Sequence, residues 1–204
     1  MLFSDSFFTI KQKAIGIFKD KGSKFIAYAY PIKTETEIKI HLSQLKKEHV
    51  GANHFCYAWR LGADKEAWRV NDDGEPNNSA GKPIYSQIQN HDLTNVLIVV
   101  VRYFGGTLLG VSGLINAYKT AASDVIKNSE IIEQFIYFQY KLIFEVNDVN
   151  SVMKLCKDLQ VIIITQDYSE NYTLVFNIKK SLSTNLEERI KQIFNSKLTY
   201  LKTF

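Results

Sequence analysis

Residues 7 to 17 and 23 to 32 are dense in β-branched and aromatic side chains and flank the polar tetrad KDKG, which predicts an antiparallel hairpin. The pattern then changes period. Ile38, Leu42 and Leu45 form one helical stripe, Thr34 and Glu37 have capping-box spacing, and Gly51 follows as a stop. HFCYAWRLG (54 to 62) and EAWRV (66 to 70) read as a second strand pair around a turn at Gly62 and Asp64. A polar loop, NDDGEPNNSAGKP (71 to 83), leads to a short helix at 83 to 90 and then to the unbroken apolar run VLIVVV at 96 to 101, a buried strand. After a glycine-rich loop, a long helix starts near Ser112, with Leu114, Tyr118, Ala121, Ala122, Val125 and Ile126 at three- and four-residue steps.

From residue 136 the pattern resets. IYFQYKLIFEV, a helix at 148 to 159, VIIITQDY, a turn at Glu170 and Asn171, TLVFNIK, a helix at 184 to 195 and LTYLKT spell βαββαβ. Thr184 and Glu187 repeat the capping-box spacing, and Leu186, Ile190 and Ile193 supply the buried stripe. A ferredoxin-like split βαβ sandwich closes a segment of this order and size. The expected organisation is therefore α+β with two domains, 1–131 and 136–204, and a boundary within SEIIEQF that no Pro/Gly-rich linker marks.

Composition narrows this picture only slightly. At 46 % hydrophobic and 23 % charged, the chain belongs with ordinary globular proteins. Its longest apolar run has six residues against the roughly 20 of a membrane-spanning helix, and no basic segment precedes the apolar residues of the N-terminus, so a cytoplasmic protein with no membrane partner is expected. Cys56 and Cys156 stand apart, outside any CxxC pair, and the lone His54-x-Cys56 lacks the remaining ligands of a zinc site. A net charge of +4 is short of a nucleic-acid binder's usual footprint. The densest basic stretch, Lys11, Lys13, Lys19, Lys21 and Lys24, reads either as a solvated hairpin or as a surface for an RNA backbone or acidic partner.

Candidate chemistry concentrates in two loops. In RYFGGTLLGVSG, residues 102 to 113, Gly105, Gly106, Gly110 and Gly113 fall within nine positions. The spacing fits neither GxxxxGK[ST] nor GxGxxG, so neither known nucleotide loop is supported. Outward-turned backbone N–H groups, the positive end of the following helix and Arg102 could hold an anion. Alternatively the glycines serve only a tight turn and close packing, with Ser112 as an ordinary N-cap. In NDDGEP, Asp72, Asp73 and Glu75 could ligate Mg²⁺ or act as a base, or could shape a turn by hydrogen bonding. Lys82 in SAGKP is either a phosphate contact or a solvated lysine. No GxSxG-like nucleophile motif occurs, and His41, His49 and His91 receive no role.

Taken together, HFCYAWRLG, NDDGEPNNSAGKPI and VVVRYFGGTLLGVSGLINAY, with KGSKF at 21 to 25, resemble a bacterial member of the IMPACT family, also called the YigZ family or uncharacterised protein family 29. The resemblance implies an N-terminal α/β domain of ribosomal-protein type, a C-terminal ferredoxin-like domain similar to one in elongation factor G, and a role around translation. Eukaryotic relatives restrain a stress kinase through an additional N-terminal domain. KGSKF begins at residue 21, so that domain is not expected here and the kinase role is not carried over. Two departures from the family pattern stand out: Ser112 replaces one of a glycine pair, and Asn78 and Ser79 stand where glycine and threonine are common.

The leading expectation is a non-enzymatic, translation-associated regulatory protein without a cofactor. It binds RNA or a ribosomal surface through Arg102, Lys82 and the amides around Gly105, Gly106, Gly110, Ser112 and Gly113, with Tyr103 or Phe104 stacking on a base. The alternatives are an enzyme acting on an anionic or phosphorylated small substrate, with Mg²⁺ at Asp72, Asp73 and Glu75, and a regulator whose second domain meets a protein partner. The enzymatic reading requires those carboxylates to face a pocket rather than cap backbone amides.

Overall fold

The computed structural model describes residues 5–193 and 195–204. They form two compact units: Phe7–Gln134, and a second made of Phe135–Phe204 with Asp5 and Ser6.

The first unit is built on a five-stranded antiparallel sheet. Its strands are β2 (Ala14–Asp20), β3 (Ser23–Pro31), β4 (His54–Leu61), β5 (Ala67–Asn71) and β6 (Val96–Tyr103), in the order β2-β3-β6-β4-β5. Helix α1 (Glu35–Glu48) covers one face; α2 (Gly81–Asn90) and α3 (Gly110–Lys127) cover the other. Central β6 therefore has helices on both sides, which is why VLIVVV is apolar without alternation: Val96, Ile98 and Val100 join the core under α2 and α3, while Leu97, Val99 and Val101 join the core under α1.

The hairpin differs from its expectation. Residues 7 to 17 do not form one strand: the polar Lys11–Lys13 step separates β1 (Ser6–Ile10) from β2, and β1 pairs with β7 (Ile131–Phe135) instead. Lys19 and Asp20 of KDKG continue β2, leaving a two-residue turn at Lys21 (φ 43°) and Gly22 (φ 79°). Two positive φ values in succession mark the hairpin turn whose twist matches its strands. The outer edge of β2 is closed by α3. Asp124 accepts the Ile17 N–H at 2.9 Å, and Asn128 donates to the Ile15 carbonyl at 3.0 Å. Gly16 makes that approach possible, since a Cβ there would lie 2.6 Å from the Val125 nitrogen.

Thr34 caps α1 as its spacing predicts, and Glu37 reaches back to the Lys33 N–H at 2.7 Å. Helix α3 begins at Gly110, two residues before the expected serine cap, and no side chain caps it.

The second unit runs β8 (Tyr137–Phe144), α4 (Val149–Asp158), β9 (Ile162–Tyr168), β10 (Tyr172–Lys179), α5 (Ser183–Ile190) and β11 (Lys197–Thr203), with sheet order β11-β8-β10-β9. This is the split βαβ arrangement, closed over Leu142, Phe144, Leu155, Phe176 and Leu186. The second capping box does not form. Helix α5 starts one residue before Thr184, and Glu187 instead accepts the Tyr140 hydroxyl at 2.7 Å. Among the described residues no helix is long and apolar enough to cross a membrane.

Candidate functional site

Antiparallel register gathers the two candidate loops at one end of the five-stranded sheet. Lys24 of β3 sits opposite Tyr103 of β6, and His54 of β4 sits opposite Arg102. Partners across a ladder share a face, and neighbours along a strand do not. Arg102, His54 and Cys56 therefore face α3, and Tyr103 and Lys24 face α1.

Loop 71–80 is tied together by its own acidic side chains. Asp72 Oδ1 accepts the N–H groups of Ala80 (3.0 Å) and Gly81 (2.8 Å), and its Oδ2 accepts that of Asn78 (2.9 Å). One carboxylate thus caps the first turn of α2 from eight and nine residues upstream, where Ala80 itself offers no capping atom. Asp73 accepts the Phe55 N–H at 2.6 Å, and its own N–H donates to Asn71 Oδ1 at 2.7 Å. The Asp73 carbonyl lies 2.9 Å from His54 Nδ1. Because that carbonyl can only accept, Nδ1 carries a proton and Nε2 is left on the side of Glu75.

Glu75 is the buried centre of this end. Its Oε1 receives Arg102 Nη1 at 2.5 Å and the Tyr118 hydroxyl at 2.7 Å, with His54 Nε2 3.8 Å away. The side chains of Glu75 and Arg102 are only 4 % and 6 % exposed, so each charge depends on the other. Beside them the Cys56 thiol lies 3.0 Å from the Asp72 carbonyl and 3.3 Å from the Tyr118 oxygen. Burial disfavours the ionised forms and pushes the pKa values of the Cys56 thiol and the Tyr118 hydroxyl well up, so both stay protonated. The Arg102 guanidinium lies between two rings, 5.4 Å from the centre of Phe25 and 5.6 Å from that of Phe104. Among the described residues no acceptor reaches its buried Nε.

The glycine loop is constructed differently. Gly105 is pressed against the hairpin turn, where a Cβ would fall 1.9 Å from the Gly22 carbonyl carbon. Its N–H donates to Ser23 Oγ (3.1 Å), and the Phe104 N–H donates to Asn53 Oδ1 (2.8 Å). Beyond that point, of residues 106–110, only Leu109 is buried. Gly106 (φ 86°) and Gly110 (φ 71°) have positive φ and nothing within 4 Å of where a Cβ would stand. Phe104, Leu108 and Val111 are exposed, Leu108 at 83 %. The N–H groups of Gly110, Val111 and Ser112 open α3 with no side-chain cap.

The expected site residues divide accordingly. The structure brings Glu75 and Arg102 together, and Asp72 links SAGKP to the same loop. Arg102 lies beneath the glycine loop, not on it, because Glu75 holds it inside. Tyr103 turns to the opposite face and its hydroxyl meets His49 Nδ1 at 2.9 Å, so of the two expected stacking residues only Phe104 faces solvent at the loop. Gly105 does not offer its amide outward, since Ser23 takes it. Ser112 is exposed in the first turn of α3 instead of capping it, and at Gly113, one residue further in, an added Cβ would lie 3.0 Å from Leu109 Cβ. Lys82 is exposed on α2. The carboxylates of Asp72 and Asp73 are committed to backbone amides and do not converge with Glu75. Among the described residues no group of three His, Cys, Asp or Glu side chains could hold a metal ion.

Sequence reasoning missed His54 and Tyr118 as members of the site. Tyr118 was visible only as one more apolar position of the α3 stripe, and its hydroxyl carried no periodic signal. His54 could have been found from the pairing of HFCYAWRLG with the strand ending at Arg102, had the register been known.

Comparison with known proteins agrees with this architecture. Residues 21–126, which hold both loops and the hairpin turn, match the Impact N-terminal domain. An IMPACT family member of Haemophilus influenzae is 33 % identical over 184 residues, covering 88 % of this chain and 84 % of that protein. IMPACT family member YvyE of Bacillus subtilis is 28 % identical over 204 residues, covering 97 % and 94 %. A crystal structure of a hypothetical protein shares the fold over 98 % of this chain and 99 % of its own, with a TM-score of 0.74 at 24 % identity. With the family's domain matched over more than half of its length, this chain belongs to the IMPACT family.

Proposed function

We propose that this protein is a non-enzymatic, translation-associated regulator that holds an RNA phosphate backbone at the end of the sheet formed by the hairpin turn and the glycine loop. The role around translation rests on the family resemblance. The observation that carries the binding surface is the apposition of Gly22 and Gly105, where no side chain fits between two backbones. It sets the lysine-rich hairpin beside the exposed, uncapped start of α3.

Lys19, Lys21 and Lys24 supply the charge that Arg102 does not, and none of the ion pairs among the described residues uses them. The Lys21 ammonium at the turn, Lys19 and Lys24 on the α1 face of the same sheet end, and the amides that open α3 suit phosphates without reading sequence, and exposed Phe104 gives one base a platform. Such a surface binds weakly and with strong salt dependence.

The test is titration of a short single-stranded RNA, followed by fluorescence anisotropy at several salt concentrations. Replacing Lys19, Lys21 and Lys24 by alanine is expected to weaken binding and to flatten the log K against log[salt] slope by roughly 2, from about 0.7 per lost contact. An unchanged slope overturns this surface. Sedimentation of lysate through gradients at low and high salt then asks whether the wild-type protein travels with ribosomal particles and the variant does not.

A further inference from the structure

We propose that the site captures the end of an RNA strand, by a terminal phosphate monoester bound to the unused edge of Arg102 with His54 beside it; this rests on the RNA reading above. The geometry begins with an incomplete arginine. Nη1 is held by Glu75, but Nε is buried, carries a hydrogen and has no acceptor among the described residues. A buried donor left without a partner is costly and calls for an explanation. The Nε edge of a guanidinium is one of its two-pronged faces, shaped for two oxygens of one phosphate or carboxylate.

His54 is the second group. It lies directly across the ladder from Arg102 on the same face, and its side chain is 26 % exposed. The Asp73 carbonyl fixes Nδ1–H, which leaves Nε2 directed into this end of the site, 3.8 Å from Glu75 Oε1. Nε2 is thus placed to accept the O–H of a monoprotonated phosphate, a form the monoester's own second ionisation, at about 6, makes more abundant at lower pH.

Access decides which phosphate fits. Arg102 is 5 % exposed, and Phe104, itself exposed at 44 %, lies over it. A phosphate in the middle of a strand has ester-linked chain on both sides and cannot reach a guanidinium at this depth. A terminal monoester has three free oxygens, a charge of about −1.5 to −2 near neutral pH, and chain on one side only. Entry requires Phe104 to move aside. Positive φ at Gly106 and Gly110, with open space around both, places two permissive positions on the far side of that residue.

The experiment compares one RNA sequence carrying a 5′-phosphate, a 3′-phosphate or hydroxyls at both ends, each titrated against the full chain by anisotropy at fixed salt and at pH 6.5 and 8. At least tenfold tighter binding of one phosphorylated oligonucleotide is expected, larger at pH 6.5, and lost in His54→Gln. Arg102→Lys keeps the charge and removes the two-pronged edge, so it is expected to erase the preference; urea unfolding of both variants confirms that they fold. Equal binding of all three oligonucleotides, still dependent on Lys19, Lys21 and Lys24, overturns end capture and leaves backbone binding standing. Binding of none of them overturns the RNA reading and end capture with it.

Discussion

Residues 71–80 and 104–110 close the same end of one sheet and are tied down to very different extents. In the first, Asn71, Asp72, Asp73 and Glu75 each hold a backbone or side-chain donor at 2.5–3.0 Å. In the second, two amides are tied at Phe104 and Gly105, residues 106–108 are exposed, and buried Leu109 leads into a helix with no side-chain cap. The sequence reading left both loops open to a role in binding, yet the acidic loop spends its oxygens on nearby backbone amides and on Arg102, and the glycine loop has fewer such ties. A cluster of carboxylates says little until its acceptors are counted against nearby N–H groups.

The strongest way to break this contrast is Glu75→Gln. It keeps an oxygen for Tyr118 but leaves the Arg102 charge buried without its counter-ion. Removing one partner of such a pair costs about 3–5 kcal/mol. Urea unfolding is expected to show stability lowered by that amount, read as a lower midpoint at an unchanged slope. A loss under 1 kcal/mol would mean that Arg102 reaches solvent easily, and the two loops would then differ less than the geometry implies.

A second pair of substitutions separates the anchored and open halves of the glycine loop. Gly105→Ala forces a methyl group into the Gly22 backbone, an overpacking expected to cost about 3 kcal/mol and to part the hairpin from the loop. Gly106→Ala meets no neighbour and carries only the cost of its positive φ, about 1–2 kcal/mol. Thermal unfolding of the two variants side by side measures the difference. Equal destabilisation would show that backbone conformation, not the Gly22 contact, fixes the loop.

How far the sequence foretold these loops depends on the range of the contacts that make them. Local chemistry was legible: the Thr34 cap, the α3 stripe and the βαββαβ order all follow from residues within a few positions of one another. What was not legible depended on pairing over long separations. Strand β1 joins β7 rather than β2, and neither carries a mark of the other, about 120 residues away. The Ser112 cap failed because the chain reaches helical geometry at Gly110, and the Thr184 box failed because Glu187 found Tyr140, forty-seven residues away, a better donor than its own helix end. Arg102 and Tyr103 were both assigned to the loop. Strand alternation sends them to opposite faces, and only the register shows which one Glu75 receives.

The smallest effect tests the acidic loop at its most economical point. Asp72 serves three amides, two of them in the turn that starts α2. Asp72→Ala leaves all three without that acceptor, and loss of a helix cap costs about 1–2 kcal/mol, so unfolding is expected to come earlier by that amount. Asp72→Asn is more revealing. Its single oxygen can still serve Ala80 and Gly81 through the Oδ1 position, but its amide nitrogen then faces the Asn78 N–H, donor against donor. Hydrogen exchange should therefore stay slow at Gly81 in the asparagine variant and rise at Asn78, whereas both rise in the alanine variant. If Asn78 stays protected in Asp72→Asn, its positive φ of 65° is held by the turn itself and not by the carboxylate, and the loop owes less to Asp72 than its three bonds imply.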